Sequence, residues 1–387
     1  MSLLLKFIFL FLITHLPKID CWEIKSCDSN PPCKFNETFL SNNTASKFPK
    51  NCSTVCGILL INGTTDLSAE QLTELFKNMR ILVGGLHIRN ATFKNLRFLS
   101  GLRRFVADHT RYPMYDAQLE ITYNSELREL GLLNLTTIKS SVVVIYRNEK
   151  LKKLNLPKLE TAKFLENRTI QLQMASAKFP EFCIKTQELD AFTRKRNKCD
   201  LIINSNICIP KNAPKVCTVP TVGCERLIGD LNITKGFDVR KVESLKRLYG
   251  TLNITNTDFN DFRFLGNLTH ILCLLHKPAL FVVGNKNLTN MEFPNLRRID
   301  TSKDQFAQFA DNSQESHADF KSCYALRKAA LREDFVWPEF GSLRSCEEIE
   351  SPSTSSQVES PSTPTKNQTC YIFGVRFPCP VDSYVAL

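Results

Sequence analysis

The chain has 387 residues, a net charge of +11 and 15 cysteines. This length gives room for two domains of ordinary size. No C-x-x-C pair occurs, which argues against zinc ribbons and thioredoxin-like redox sites and favours structural disulfides. No apolar run in the sequence reaches the length of a membrane-spanning helix.

Residues 1–20 are predicted to be a secretory signal peptide. One lysine precedes an apolar run from Phe7 to Ile13, and this run is too short to cross a bilayer. Asn-x-Ser/Thr sequons then recur more often than the roughly four expected by chance. The 12 sequons are Asn36, Asn42, Asn51, Asn62, Asn90, Asn134, Asn167, Asn232, Asn253, Asn267, Asn287 and Asn367. We therefore predict a secreted, extracellular glycoprotein.

Short segments of the form Leu-x-Ile mark predicted strands with one face directed inward. The first ends at Ile61, the next at Ile88, and residues 119–162 then hold one pattern written twice, 24 residues apart. In each copy, an Asn suits a turn because its side chain bonds backbone groups and tolerates a left-handed conformation. Each copy leaves an apolar edge that a stacked neighbour must cover, so the pattern predicts a solenoid.

The same three blocks return later in the chain in the same order. Each block keeps its internal spacing of apolar residues, asparagines and glycines. The matched blocks are 52–61 with 224–233, 83–102 with 249–268, and 119–138 with 280–299, at offsets of 172, 166 and 161. The whole unit has therefore been duplicated, and we predict two homologous domains.

The order C-x4-G-x-L-x-I, G-x-L-x-I and L-x-x-L-G-L-x-x-L-x-x-I (127–138) resembles the receptor L domain, the ligand-binding module present twice in the insulin and EGF receptors. The resemblance covers residues 50–200 and 215–348, and it is closest to the soluble two-L-domain secreted proteins of nematodes. It implies a mainly β fold of two short right-handed parallel β-helix domains, LRR-like solenoids with capping helices and disulfides. A leucine-rich-repeat horseshoe is the alternative, but a few matched rungs in each cysteine-framed domain fit a short β-helix better.

The predicted first L domain, with its cysteine-rich N-terminal segment, spans 21–203, and the second spans 224–349. The cysteine-containing junction 204–223 is short, whereas the two receptors hold a long cysteine-rich module here, so we expect the domains to be close neighbours. Residues 350–387 begin with a Ser/Thr/Pro-rich stalk that cannot bury a core, and they end in a short tail. Its loop is expected to be closed by Cys370 and Cys379.

The resemblance implies three disulfides, and a fourth is expected between the remaining N-terminal cysteines. These pairs are Cys33–Cys52, Cys183–Cys199, Cys323–Cys346 and Cys27–Cys56. The junction region offers Cys208, Cys217 and Cys224 as further candidates, because sequence alone does not fix connectivity. An odd number of cysteines leaves one over, and Cys21 and Cys273 are the candidates.

Strand alternation predicts a candidate ligand-binding face on the first domain. Alternate residues of the predicted strands point into the core, so their neighbours form the outer surface of one sheet. The outer residues are Leu60, Asn62, His87, Arg89, Glu120, Thr122, Val144 and Tyr146. In the insulin receptor the corresponding face engages hormone, and apolar residues beside charged ones suit a contact patch. An ordinary solvent-exposed sheet is the alternative interpretation.

Two sequons argue against a binding face on the second domain. Sugars on Asn232 and Asn253 would stand on adjacent strands of one face and block a protein partner. The binding face is therefore assigned to the first domain. Asn62 lies at the edge of that face, so we predict that removing its glycan changes binding more than removing the Asn367 glycan.

The sequence contains no recognisable catalytic or metal-binding motif. Its six histidines lack metal-ligand spacings, and nucleotide-binding and hydrolase motifs are absent. We therefore expect no enzymatic activity, no metal and no cofactor. Basic clusters at 150–153 and 194–198 favour acidic partners, which outside the cell are acidic proteins or sulfated glycans rather than nucleic acid.

Two functions remain open. The first is a secreted binder of insulin-like or EGF-like peptides, or of their receptor ectodomains, that modulates growth-factor signalling as a decoy or accessory. The second is an extracellular-matrix or cell-surface interaction protein that holds glycans through its basic patches. Salt-sensitive retention on heparin resin without peptide affinity would favour the second.

Overall fold

The computed structural model describes residues 27, 31–112, 118–140, 142–163, 170–175, 182–193, 199–210, 213–274, 277–301, 306–317, 320–330, 336–339, 342–350, 369–372 and 375–378. The predicted signal peptide, most of the stalk and tail with Cys379, Cys21, the sequons at Asn167 and Asn367, and the basic cluster at 194–198 lie outside these residues. The described residues are mainly β, with parallel sheets, short helices and disulfides. This part of the fold prediction is confirmed.

The strands are short and follow one another along both halves of the chain. They are β1 Lys34–Phe35, β2 Thr54–Asn62, β3 Ile81–Arg89, β4 Arg104–Ala107, β5 Leu119–Thr122, β6 Thr137–Lys139, β7 Val142–Tyr146, β8 Thr161–Lys163, β9 Ile170–Ala175, β10 Cys183–Ile184, β11 Cys199–Asn204, β12 Asn206–Ile207, β13 Val216–Cys217, β14 Arg226–Ile228, β15 Leu231–Ile233, β16 Arg247–Tyr249, β17 Leu252–Thr255, β18 His270–Cys273, β19 Leu280–Val283, β20 Arg298–Thr301, β21 Ala307–Ala310, β22 Val336–Glu339, β23 Ser342–Ser345, β24 Thr369–Ile372 and β25 Val375–Pro378. The helices are α1 Asn42–Ala45, α2 Ala69–Phe76, α3 Thr186–Thr193, α4 Gln314–His317, α5 Phe320–Ala330 and α6 Cys346–Glu350, with 3-10 turns at Pro31–Cys33, Arg97–Leu99, Val239–Lys241 and Arg263–Leu265.

The first half is built on the long strand β3. Strands β2 and β3 are parallel and pair along their whole length. The first part of β3 then pairs with β4, and its last part pairs with β5. Strands β6 and β8 extend the first branch, while β7, β9 and β11 extend the second. Successive strands therefore alternate between two parallel branches, and the pairing of β5 with β7 joins residues 24 apart, Leu119 with Val143.

Glycines occupy the point where the two branches diverge. Gly57 and Gly84 are register partners with φ of 148° and 138°, a region that only glycine adopts readily. A Cβ at Gly84 would collide with the carbonyl oxygen of Gly57. In the second half, Gly229 and Gly250 separate the corresponding strands, and a Cβ at Gly250 would collide with the Gly229 carbonyl. The glycine of the repeated G-x-L-x-I motif is thus required by close backbone approach.

The second half repeats this arrangement as two parallel sheets. One contains β13, β14, β16, β18 and β20, and the other contains β15, β17, β19 and β21. In the second sheet Leu231, Leu252, Leu280 and Ala307 lie side by side across the four strands. Buried apolar side chains form one large cluster in each half. The duplication in the sequence therefore corresponds to two similarly paired sets of strands.

Buried asparagines join neighbouring repeats after the strands. The Asn124 side chain accepts from the amide of Ala91 at 2.9 Å and donates to the carbonyl of Ile88 at 2.9 Å. Asn148 bonds the backbone of Asn124 and Ile121 in the same way, at 3.0 and 2.8 Å. The predicted bonding of the asparagine to backbone is confirmed, but the residues recorded with positive φ include Tyr123 and Arg147, just before each asparagine, and neither Asn124 nor Asn148.

The disulfides confirm most of the expected pairs and correct one. Cys27–Cys56, Cys33–Cys52 and Cys323–Cys346 are present, and Cys217 is bonded to Cys224. The predicted Cys183–Cys199 pair is wrong, because Cys183 is bonded to Cys208 with a Cα–Cα distance of 5.0 Å. Strand β10, which begins at Cys183, pairs with β12, and Cys208 directly follows β12, so the pairing brings the two cysteines together. Cys273, a candidate for the odd cysteine, is a buried thiol 3.5 Å from the Thr251 hydroxyl.

The two halves contact each other through α3. The Asp190 carboxylate accepts from the Arg247 guanidinium at 2.8 Å and from the Tyr249 hydroxyl at 2.7 Å. Its other oxygen lies 3.2 Å from the Arg226 guanidinium. Tyr249 and Leu272 of the second half also belong to the apolar cluster of the first half. The short junction thus brings the halves into direct contact, as its length predicted.

Candidate ligand-binding face

The eight predicted face residues lie in two rows across β2, β3, β5 and β7. Parallel strands in register place equivalent residues side by side, so each row takes one residue from each strand. The first row is Leu60, His87, Glu120 and Val144. The second row is Asn62, Arg89, Thr122 and Tyr146. The structure therefore brings all eight candidates together on adjacent strands.

The residues that alternate with these rows fill the core, as predicted. All eight are at most 3% exposed. They are Leu59, Ile61, Leu86, Ile88, Leu119, Ile121, Val143 and Ile145. Their burial fixes the register, because a shift by one residue would turn the apolar set towards solvent.

A charged cluster occupies the centre of the face. The guanidinium of Arg89 forms an ion pair with the carboxylate of Glu120, and it lies 2.9 Å from Nδ1 of His87. His87 Nδ1 is also 3.3 Å from the Glu120 carboxylate. Gln118 and Thr122 donate hydrogen bonds to the same carboxylate at 2.8 and 2.9 Å. Glu120 therefore receives hydrogen bonds from neighbours on both its own strand and β3.

These bonds hold Glu120 in its ionised form. Burial alone would raise the pKa of the carboxyl group, but hydrogen bonds from His87, Arg89 and Thr122 outweigh it and lower the pKa to about 2. The carboxylate is consequently charged at neutral and mildly acidic pH. Its charge is balanced locally by Arg89, whose side chain remains 42% exposed.

The face is less open than strand alternation alone predicts. His87 and Thr122 point outward but are each only 3% exposed. Leu60, Val144 and Tyr146 are partly exposed. The accessible part of the face thus consists of these apolar and aromatic side chains together with Arg89, around the covered side chains of His87 and Thr122.

A cavity of about 390 Å³ lies at the β2–β3 side of this face. Sheet residues Leu60, His87 and Arg89 line it together with Tyr112 and the segment 35–38. The Nε of Arg89 is buried without an acceptor among the described residues, whereas 42% of the Arg89 side chain as a whole is exposed. Sequence reasoning missed the cavity because its outer wall comes from segments remote from the repeat.

The edge at the end of these strands carries a cluster that sequence reasoning also missed. Tyr123, directly after β5, is 50% exposed, and its ring lies 6.1 Å from that of Tyr146. The Arg147 guanidinium stands 5.8 Å from the centre of the Tyr123 ring and 5.4 Å from that of Tyr146. The signal was available as adjacent aromatic and basic residues at the same position of successive repeats.

The corresponding face of the second half has a different composition. Its outer row is Asn232, Asn253, Phe281 and Gln308. Asn232 is exposed and Asn253 partly exposed, and the Asn253 amide donates to the Asn232 side chain at 2.6 Å. The two sequons thus lie side by side, as predicted.

Comparison with known families identifies this architecture. A model of the receptor L domain matches residues 51–156 and 223–325, together more than half of the chain. A search of curated proteins returns no match. Within the described residues no helix is long and apolar enough to cross a membrane. One matched segment falls in each of the two sets of parallel strands, and the chain belongs to the receptor L domain family.

Proposed function

We propose that this protein is a secreted, non-enzymatic binding protein whose first L domain captures a protein or peptide ligand. The receptor L domain is a binding domain of an extracellular type, as in the insulin and EGF receptors. The observation that carries the proposal is the cavity lined by Leu60, His87 and Arg89, on a face whose partly exposed residues include Leu60, Val144 and Tyr146.

The ligands we propose are insulin-like or EGF-like peptides, or the ectodomains of their receptors. Binding either would modulate growth-factor signalling, with this protein as a decoy or an accessory. Support comes from the family and from the mixture of aromatic, aliphatic and arginine side chains that contact surfaces favour.

We further infer that each half closes into a short right-handed parallel β-helix. In the first half, successive strands alternate between two parallel branches at a 24-residue repeat. In the second half, they alternate between two parallel sheets. We also propose that the exposed sequons are glycosylated, as expected for a secreted protein. The five described disulfides support secretion, because disulfides persist in oxidising compartments.

A binding screen with a matched pair of variants tests this function. The purified chain is assayed by surface plasmon resonance against insulin-like peptides, EGF-like peptides and the ectodomains of their receptors. Arg89→Ala with Tyr146→Ala should weaken binding by at least about tenfold, since aromatic and arginine anchors carry much of an interface's energy. Phe281→Ala with Gln308→Ala makes the comparable change on the second half and should leave binding within about twofold.

The screen also separates the two candidate functions. If no panel member binds and the chain is retained on heparin in a salt-sensitive manner, the matrix function replaces the one proposed. Equal weakening by both double variants would remove the assignment of the binding face to the first domain.

A further inference from the structure

The cluster of Tyr123, Tyr146 and Arg147 lies on the exposed edge where β5 and β7 end. The Tyr146 hydroxyl is 3.1 Å from Nε of Arg147, and the guanidinium faces both aromatic rings. This hydrogen bond is the largest of the causes that raise the pKa of Arg147, so the guanidinium stays charged. The result is a pre-ordered surface of two aromatic rings around one cation.

The backbone under this cluster is unfavourable for the residues that it carries. Tyr123 and Arg147 have φ of 59° and 51°, in the left-handed region where bulky side chains are genuine outliers. The amide of Tyr123 donates to the Tyr146 carbonyl at 3.0 Å, so the pairing between repeats imposes this turn. Any residue at this position must adopt it.

The second half places other residue types at the same turn. The equivalents of Tyr123 and Arg147 are Gly284 and Asp311, with φ of 74° and 53°, while Asn256 matches Asn90 of the first half, both with φ of 51°. These residue types enter the left-handed region at little cost. The first half instead places a tyrosine and an arginine there, with Tyr123 half-exposed. Local strain of this kind accumulates at functional sites, and exposed rings contribute little to a core.

We infer that Tyr123, Tyr146 and Arg147 anchor an acidic segment of a protein partner, with a carboxylate on Arg147 and an apolar side chain against the two rings. This inference rests on the proposed function and extends it from the sheet face to the strand-end edge. Tyrosine and arginine are the residue types most enriched among anchors of protein interfaces, and their ordered geometry lowers the entropy lost on binding.

The charge around the edge favours an acidic occupant. Arg147 makes no ion pair with a carboxylate among the residues that the structure describes, although exposed Glu149 is near enough to contribute to its raised pKa. Lys94, Arg128 and Lys150 surround Glu126 and lower its pKa, with the Lys150 hydrogen bond as the largest cause. Glu126 lies three residues after Tyr123, and in this stretch of the two repeats these four basic residues outnumber Glu126 and Glu149, so a carboxylate would be attracted.

A random-peptide phage library provides the probe. It is panned in parallel on the full chain, on Tyr123→Asn with Arg147→Gln, and on Arg128→Gln, which removes one nearby charge without touching the rings. We expect the unmodified chain to enrich peptides that pair Asp or Glu with an apolar residue. Their synthetic versions should bind the double variant at least about tenfold more weakly and Arg128→Gln within about twofold.

Two further measurements keep the test sharp. Asparagine tolerates the left-handed turn, so the melting temperature of Tyr123→Asn should equal or exceed that of the unmodified chain while binding falls. Raising the salt concentration should weaken the selected peptides, because the anchor is partly electrostatic.

Several results would overturn this inference. Enrichment that does not favour Asp or Glu, or equal binding by the double variant, would do so. Peptides that require Arg89 but not Tyr123 or Arg147 would leave the proposed face standing and remove the anchor. Loss of heparin retention in Arg147→Gln, without any acidic peptide enriched, would make the edge a site for sulfated glycans instead.

Discussion

Glu120 shows how a single residue sets the character of the candidate face. It lies between apolar rows in the sequence, yet its carboxylate is held by His87, Arg89 and Thr122. A largely covered carboxylate is tolerated only when it is paired and hydrogen-bonded. The cluster therefore orders Arg89, whose Nε is directed to no protein acceptor among the described atoms. In the proposed function, Glu120 acts as a positioning residue and Arg89 contacts the ligand.

The lowered pKa of Glu120 predicts an acid-dependent loss of stability. Its contribution is complete above the ordinary pKa of 4.5 and is lost as the pH falls towards the folded pKa of about 2. Glu120→Gln should cost about 2 kcal/mol at neutral pH and remove this dependence between the two values. Urea unfolding is measured from about pH 6 down to about pH 2. The free energies of unfolding of the unmodified chain and of Glu120→Gln should converge as the pH falls. The exposed Glu149→Gln serves as the control, and curves that stay parallel would contradict the assignment.

For single residues, the sequence predicted which side of the sheet a side chain points to better than it predicted how buried that side chain is. Period-two alternation sufficed to place Leu59 inward and Leu60 outward, because the strand geometry fixes which side each residue takes. It did not predict that outward His87 is buried, since this depends on packing beyond the strand. It also assigned the left-handed turn to the asparagine, whereas Tyr123 adopts it and Asn124 is drawn inward to bond the backbone.

At the scale of elements, paired glycines govern how the strands divide. Gly57 and Gly84 allow β2 and β3 to approach where the two branches separate. The same contact recurs between Gly229 and Gly250, so it is a property of the duplicated unit. Strand pairing, and with it the placement of the candidate face, depends on this contact.

Gly84→Ala should therefore be far more harmful than an ordinary glycine substitution. The new methyl group would collide with the Gly57 carbonyl, and we expect a loss of about 3–5 kcal/mol in the free energy of unfolding. Gly236→Ala is the matched control, because Gly236 also has positive φ but nothing lies within 4 Å of its added Cβ. It should cost about 1 kcal/mol. Similar losses in the two variants, measured by urea unfolding, would show that backbone conformation alone explains both.

Strand pairing was predictable from the sequence within the repeats, but not in the segments that follow them. Repeat offsets predicted the register of β5 with β7, since equal spacing places equivalent residues side by side. The Cys183–Cys199 prediction failed because the partner strand of β10 is β12, a two-residue pairing with no periodic signal. Such a short pairing depends on how the last segment of a domain packs, and the periodic pattern of the sequence does not encode that packing.

At the scale of the whole molecule, the two halves are joined by a charged and apolar contact. Asp190 binds Arg247, Tyr249 and Arg226 of the second half. Burial, together with Arg247, Arg298 and Arg297, also lowers the pKa of His270 to about 3. His270 is therefore neutral in the folded protein above that pH, which limits positive charge near this contact. The short junction made contact predictable, but not the residues that form it.

The proposed division of roles between the halves is based on the composition of their outer rows. The first half offers Arg89, Val144 and Tyr146, whereas the second offers Phe281 next to two adjacent sequons. A ligand that binds through one face should tolerate bulk on the other. This asymmetry is the central claim of the account.

Engineered glycans on each face test that claim most directly. Val144→Asn with Tyr146→Thr creates a sequon at position 144 of the first face, and Phe281→Asn with Val283→Thr creates its counterpart at position 281. Binding is measured by surface plasmon resonance against the panel member that the unmodified chain binds, after mass spectrometry has confirmed occupancy of both new sequons. We predict that the first glycan weakens binding by more than about a hundredfold and that the second leaves it within about twofold. A loss of binding with the second glycan and not with the first would contradict the account.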